Sequence, residues 1–192
     1  MGSSAQDWQG TPDFPIFINL RGVEVLVIGA GGVAVRRIGA LLDFGARVRV
    51  VAPELSAGME RCLGREGLIW EKRRYRSRDM DGVALAVAAS NDRKVNRRAG
   101  LDARKRGVPV SVADRRDECS FFFPALIRSG RLTAGLVSRR GDHALVRRAA
   151  AKMRDELEKF DAGHPFGDEG ERAGPGAGAA GRQCHPGPLP GH

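Results

Sequence analysis

Apolar residues along the chain fall into short runs separated by stretches of helical period. "VEVLVI" (23–28), "RVRVV" (47–51), "LIWEKR" (68–73), "ALAVA" (84–88) and "PVSV" (109–112) have the length and aliphatic content of strands. Between them, "VAVRRIGALLDF" (33–44), "LSAGMERCLGR" (55–65) and "RKVNRRAGLDARKR" (93–106) carry the patterning of helices. The first and fourth strand runs are almost wholly apolar, as strands covered on both faces must be. Strands alternating with helices predict an α/β fold: a Rossmann-type parallel sheet with helices on both faces.

After Val112 the pattern changes. "FFFPALIRSGRLTAGLVS" (121–138) reads as two short strands around a Ser129-Gly130 turn, with no helix between them. A last helix is predicted over Asp142–Phe160, capped by Asp142 and carrying Ala144, Leu145, Ala149 and Met153. This small α+β segment cannot enclose a core of its own, and packing against a second copy would solve that, so a homodimer is expected. From Asp161 onward nine Gly and five Pro fall among 32 residues, a composition that reads as a disordered tail.

Charge narrows the partners. The chain carries +9; its tail holds four acids against two arginines, which leaves the remainder at +11. Such a surplus implies an anionic partner, whether nucleic acid, an acidic membrane face or a polyanionic small molecule, or else a merely arginine-rich surface. Nucleic acid is disfavoured: the chain has one Tyr, and Phe121-Phe122-Phe123 runs into Pro124, which reads as core packing and not as a stacking platform. No transmembrane run or signal peptide is evident, and three cysteines without a CxxC pair suggest a reduced, cytoplasmic protein with no metal-ligand set. No membrane association is expected.

Candidate chemistry starts at Gly29-Ala30-Gly31-Gly32-Val33-Ala34, which fits GxGxxA between an apolar strand and a helix. Gly29 permits the tight turn, Gly31 lets backbone approach a pyrophosphate, and Ala34 lets the helix lie close to the strand. The phosphates would rest on the positive end of the helix that begins near Gly32. Glu54 follows Gly31 by 23 positions, near the spacing expected of a ribose ligand, and would line the adenosine pocket with Pro53; it equally suits a cap for the next helix. No Arg between Ala52 and Met59 is available to meet a 2′-phosphate, which favours NAD over NADP. Three segments result: an NAD-binding Rossmann domain (1–113), a dimerisation and substrate segment (114–160), and the tail (161–192).

"FPIFINLRGVEVLVIGAGGVAVRRIGALLDFGARVRVVAP" (14–53) resembles the opening of the precorrin-2 dehydrogenase and sirohydrochlorin ferrochelatase family, the N-terminal module of siroheme synthase. "AVAASNDRKVNRR" (86–98) and "GVPVSVADRRDECSFFFPALIRSGRLTAGLVS" (107–138) resemble later family blocks in the same order, and the likeness covers about residues 14–157. The resemblance implies a homodimer that oxidises precorrin-2 to sirohydrochlorin with NAD⁺, and in some members also inserts Fe²⁺. It implies Gly32, Val33, Pro53 and Glu54 as NAD contacts and Asp114 as the catalytic carboxylate. Ser138 matches a serine beside the tetrapyrrole, phosphorylated in some members.

Physics bears on these positions too. Precorrin-2 is a polyanionic tetrapyrrole with eight carboxylates, a sensible guest for a strongly basic domain. Arg128, Arg131, Arg139 and Arg140 are candidates to grip them bidentately, or else form a solvated basic face. Asp114 follows the last parallel strand, at the edge where ligands of open sheets bind, as a base or as a turn aspartate. Asn91 and Asp92 end the fourth strand near the expected nicotinamide, or cap the next helix; His143 opens the last one. The chain departs from the family at Ser111, where Asn is usual, and at Arg139 and Arg140, which replace two glycines. The ordered part is expected to end near Phe160 without the family's further helical domain, which favours dehydrogenase activity alone over a bifunctional enzyme.

Overall fold

The computed structural model describes residues 13–130, 132–138 and 141–163. Five strands form one sheet: β1 (Glu24–Ile28), β2 (Arg47–Ala52), β3 (Leu68–Lys72), β4 (Leu85–Ala88) and β5 (Val110–Val112). All pair in parallel, in the order β3-β2-β1-β4-β5. The pleat divides the apolar runs between two faces, because successive side chains point to opposite sides. Val25, Val27, Val48, Val50, Leu85 and Val87 pack on one side with Ala34, Ile38 and Leu41 of helix α1 (Gly32–Asp43). Leu26, Ile28, Val51, Ala86 and Ala88 pack on the other with Ala99 and Ala103 of helix α3 (Arg93–Lys105). Both faces are covered, which is why β4 and all of β1 after Glu24 carry apolar residues.

The crossover from β1 runs outward through α1 to β2, while β4 runs the other way through α3 to β5. The order therefore reverses between β1 and β4, and the crevice outside their carboxyl ends is where ligands of open α/β sheets bind. The last strand is protected on its outer side by side chains. Val110 N–H donates to Ser120 Oγ at 2.7 Å, and Val112 N–H donates to the Cys119 sulfur at 3.1 Å. This closes an edge that would otherwise offer unpaired backbone groups.

Beyond β5, β6 (Ala125–Ser129) and β7 (Leu132–Leu136) form an antiparallel hairpin about Gly130, whose φ of 49° suits glycine. Helix α4 (His143–Gly163) lies against β6. Its cap is the expected one: Leu145 N–H donates to Asp142 Oδ1 at 2.8 Å. It runs three residues past Phe160, and the rest of the Gly/Pro-rich tail lies outside the described residues.

Two expectations are corrected. The helix read over 55–65 is a single turn, α2 (Ala57–Glu60), followed by tight i→i−3 turns such as Cys62 N–H to Met59 C=O. Gly64 and Gly67, at φ of 90° and 80°, take the chain out of the right-handed helical region before a second turn can form. The strand expected from Pro109 begins at Val110; proline has no N–H for the ladder. Two 3-10 turns, Ser77–Met80 and Arg116–Glu118, carry no periodic signal long enough to be read from sequence.

Candidate functional site

The turn after β1 is shaped for close backbone approach. At Gly29, with φ of 104°, an added Cβ would lie 2.5 Å from the carbonyl oxygen of Ala89 and 2.6 Å from the nitrogen of Ser90. The end of β4 thus sits directly on this turn, and only glycine fits there. Gly29→Ala should lower the melting temperature by roughly 10 °C, since strain plus a backbone clash costs about 3 kcal/mol. A thermal melt with an unchanged midpoint would contradict this.

The next two glycines meet space instead of protein. A Cβ at Gly32 would find nothing within 4 Å, and one at Gly31 would find only Asn91 Oδ1, at 3.5 Å. Gly31 is the N-cap of α1 and supplies no side chain to satisfy the first helical N–H groups, and the first turn carries no acid. Gly32 and Val33 are both exposed at this helix start. Free amides, a positive helix end and open space together fit a pyrophosphate. Ala34, fully buried, lets α1 close on the sheet as expected.

The end of β2 is organised by residues the sequence reading passed over. Ser56 Oγ donates to the Ala30 carbonyl at 2.7 Å and also accepts from Met59 N–H at 3.3 Å. It ties the loop after β2 to the glycine turn and is the true cap of α2, a role that had been open to Glu54. The Trp70 indole N–H donates to the Ala52 carbonyl at 3.0 Å, fixing the end of β2. Pro53 and Glu54 are left exposed just past that end.

Asp114 stands two residues past β5, its carboxyl 37% exposed. Its position is set by Asn96, which is 1% exposed and on the inner face of α3. Asn96 Nδ2 donates to Asp114 Oδ1 at 3.1 Å and to the Ser90 carbonyl at 2.9 Å, while its Oδ1 accepts from Ser90 N–H at 2.9 Å. One buried amide therefore joins the ends of β4 and β5 and aims a carboxylate at the same sheet edge as the glycine turn. Arg93 adds an ion pair with Asp114 at 3.7 Å and a hydrogen bond to Glu118. Asn96 was legible in principle: it shares a helical face with Ala99, Gly100 and Ala103, all buried. Asp92 caps α3 through Lys94 N–H, at 2.8 Å, and Asn91 faces the glycine turn.

Beside β5 opens a cavity of about 550 Å³, floored by Phe122, Phe123 and Val146 and walled by α4. Among the described residues Arg37, Arg116, Arg147, Arg154 and His143 line it, and no Asp or Glu does. Ser138 lies on its rim, where its Oγ accepts from Asp142 N–H at 3.0 Å at the start of α4. Arg128 is elsewhere: its guanidinium stacks over Phe44 at 5.4 Å, at the C-cap of α1. That is about 18 Å of helix from the glycine turn. The hairpin packs back on the far end of α1, a tertiary contact invisible in local pattern. Arg131, Arg139 and Arg140 lie outside the described residues.

Comparison with known proteins bears on the family and the fold. A family model described as putative NAD(P)-binding matches residues 16–125. The probable multifunctional siroheme biosynthesis protein HemA of Ruminiclostridium josui is 42% identical over 142 residues, 73% of this chain and 28% of that protein. The siroheme synthase of Neisseria meningitidis serogroup C is 40% identical over 161 residues, 84% of this chain and 32% of that one. The chain thus spans about a third of these relatives' length. The solved structure of SirC, a precorrin-2 dehydrogenase, superposes with a TM-score of 0.65 at 25% identity, covering 78% of this chain and 74% of that one. The chain belongs to the putative NAD(P)-binding family, whose model covers residues 16–125, and it is similar to siroheme synthases and to a precorrin-2 dehydrogenase.

Proposed function

We propose that the protein oxidises precorrin-2 to sirohydrochlorin with NAD⁺, in siroheme biosynthesis. The observation that carries the reading is the joining of two features at one sheet edge. The Gly29–Gly32 turn fits a dinucleotide, and the Asn96 amide holds the Asp114 carboxylate beside the adjacent strand end. Bound NAD⁺ supplies the acceptor for the hydride lost by the substrate. The oxidation also releases a proton, and Asp114 is the carboxylate placed to take it, with one oxygen fixed by Asn96 and the other facing Arg93. The α1 start binds and orients the pyrophosphate, and Glu54 past β2 supports NAD over NADP by offering an acceptor to the ribose hydroxyls. The cavity, lined by basic side chains among the described residues, supports a polycarboxylate substrate, since long-range attraction gathers it and arginine forks hold it.

The test is anaerobic mixing of the full chain with precorrin-2 and NAD⁺. The expected result is NADH and sirohydrochlorin formed in equal amounts; precorrin-2 left unchanged contradicts the reading. A second run with Fe²⁺ as co-substrate reports insertion of the metal, which would require the pyrrole N–H protons to leave through the same base. We read the chain as dehydrogenase first, because its carboxylate and glycine turn serve hydride transfer directly.

A homodimer is part of the proposal, with residues 1–113 as the cofactor domain, 114–160 as the pairing segment and 161–192 as a tail. Its support in the pairing segment is a set of exposed large apolar side chains: Leu132, Val137, Leu145 and Met153 are 40%, 43%, 51% and 36% exposed. A second copy packed on this segment would cover them. Sedimentation equilibrium should report the mass of two chains, and Leu145→Asp should shift it toward one. A wild-type mass of one chain contradicts the dimer. Unpaired thiols at Cys62 and Cys119 agree with a reducing, cytoplasmic setting; among the described residues no helix is long and apolar enough to cross a membrane.

A further inference from the structure

We propose that Arg37 is the anchor for one carboxylate of the polyanionic substrate, a specificity-determining contact made from the middle of the helix whose start takes the cofactor. The inference rests on the tetrapyrrole reading above and deepens it.

Arg37 lies on α1, five residues past Gly32, and lines the cavity beside β5. Its guanidinium is stacked 4.9 Å over the Phe123 ring, which fixes the plane of the fork. Its Nη1 is buried and has no hydrogen-bond partner. Burial pushes this guanidinium below its usual range, with Arg36 adding repulsion and Cys119 opposing it. A charge in such a place is costly, and in a folded protein an unpaired buried donor calls for a partner. Among the described residues no Asp or Glu lines the cavity. The other charged groups facing the space, Arg116, Arg147 and Arg154, are positive, with His143 at the mouth. Arg116 is already engaged, with Asp13 at 3.0 Å and over the Phe122 ring at 3.8 Å.

The ligand this arrangement selects is an organic polyanion with an apolar body. Its body meets Phe122, Phe123 and Val146, and one peripheral carboxylate pairs with the Arg37 guanidinium where that side chain lines the cavity. A carboxylate there would neutralise a charge that the protein leaves incompletely partnered. The same helix thereby fixes cofactor and substrate relative to each other, one at its first turn and one at its second.

The probe is uroporphyrin, a stable porphyrin with eight carboxylates, titrated into the full chain and followed by fluorescence. Wild type should bind it saturably, and its octamethyl ester should not bind. Arg37→Met, which keeps the bulk against Phe123, should weaken binding roughly 10- to 100-fold, the worth of one charge-assisted contact. NAD⁺ affinity should stay unchanged, and the melting temperature should stay level or rise, because an unpaired buried charge is removed. A merely structural arginine would instead lower the melting temperature. Arg37→Lys should fall between wild type and Arg37→Met. Equal porphyrin affinity in wild type and Arg37→Met overturns the proposal, as does a loss of affinity matched by a fall in melting temperature and in NAD⁺ binding. If uroporphyrin binds through Arg37 while precorrin-2 yields no NADH, the carboxylate anchor stands and the oxidation reading falls.

Discussion

Asp114→Asn is expected to lower kcat for precorrin-2 oxidation by roughly 10²- to 10⁴-fold, the usual worth of a positioned base. The substitution is nearly isosteric, and the new amide oxygen can still accept from Asn96 Nδ2, which now donates at 3.1 Å. What is lost is the site that accepts the substrate's proton, together with the ion pair to Arg93. NAD⁺ affinity should change by less than about twofold, because the glycine turn is untouched, and chemistry is affected far more than binding. Steady-state kinetics under anaerobic conditions, with a parallel NAD⁺ titration, separate the two. A variant that turns over at the wild-type rate would remove Asp114 from the chemistry. Intact uroporphyrin binding beside lost turnover would set an enzyme apart from a passive carrier.

Gly32→Glu is expected to abolish dinucleotide binding without harming the fold. Nothing lies within 4 Å of a Cβ at this position, and the site is exposed, so the side chain has open space to enter. A carboxylate in the first turn of α1 also suits the helix dipole, which the wild-type sequence leaves without an acid. The same charge sits where the pyrophosphate must rest, and like-charge juxtaposition costs several kcal/mol, on the order of a 100-fold loss in affinity. Differential scanning fluorimetry should show a level or slightly higher melting temperature, and NADH fluorescence should show the weakened binding. NAD⁺ binding at wild-type strength would place the dinucleotide elsewhere. The contrast with Gly29→Ala is deliberate: one glycine is required by the protein's own packing, the other is open to the ligand.

The parallel sheet and its glycine turn were legible because their signals are local. Apolar runs set the strands, the 3.6-residue pattern set α1 and α3, and Asp142 marked the start of α4 through a hydrogen bond spanning three residues. The parts that were not legible depend on contacts distant in sequence. The hairpin carries Arg128 over Phe44, more than 80 positions earlier, a contact that no local pattern signals. Arg37 gave no signal at all until Phe123, from a different segment, came to lie beneath it. Ser56 and Asn96 are polar residues that act by satisfying backbone at two strand ends, and only the tertiary turn geometry assigns them that work. The shortness of α2 follows from the left-handed conformations of Gly64 and Gly67, a property of the backbone that composition signals only weakly.

The most direct measurement is isothermal titration of NAD⁺ and, separately, NADP⁺ into the purified full chain. Saturable heat with one NAD⁺ per chain, weaker heat from NADP⁺, and loss of the NAD⁺ signal in Gly32→Glu are the predicted results. Absence of heat from both oxidised nucleotides and from NADH would contradict a dinucleotide seated on the start of α1, and with it the oxidation of precorrin-2.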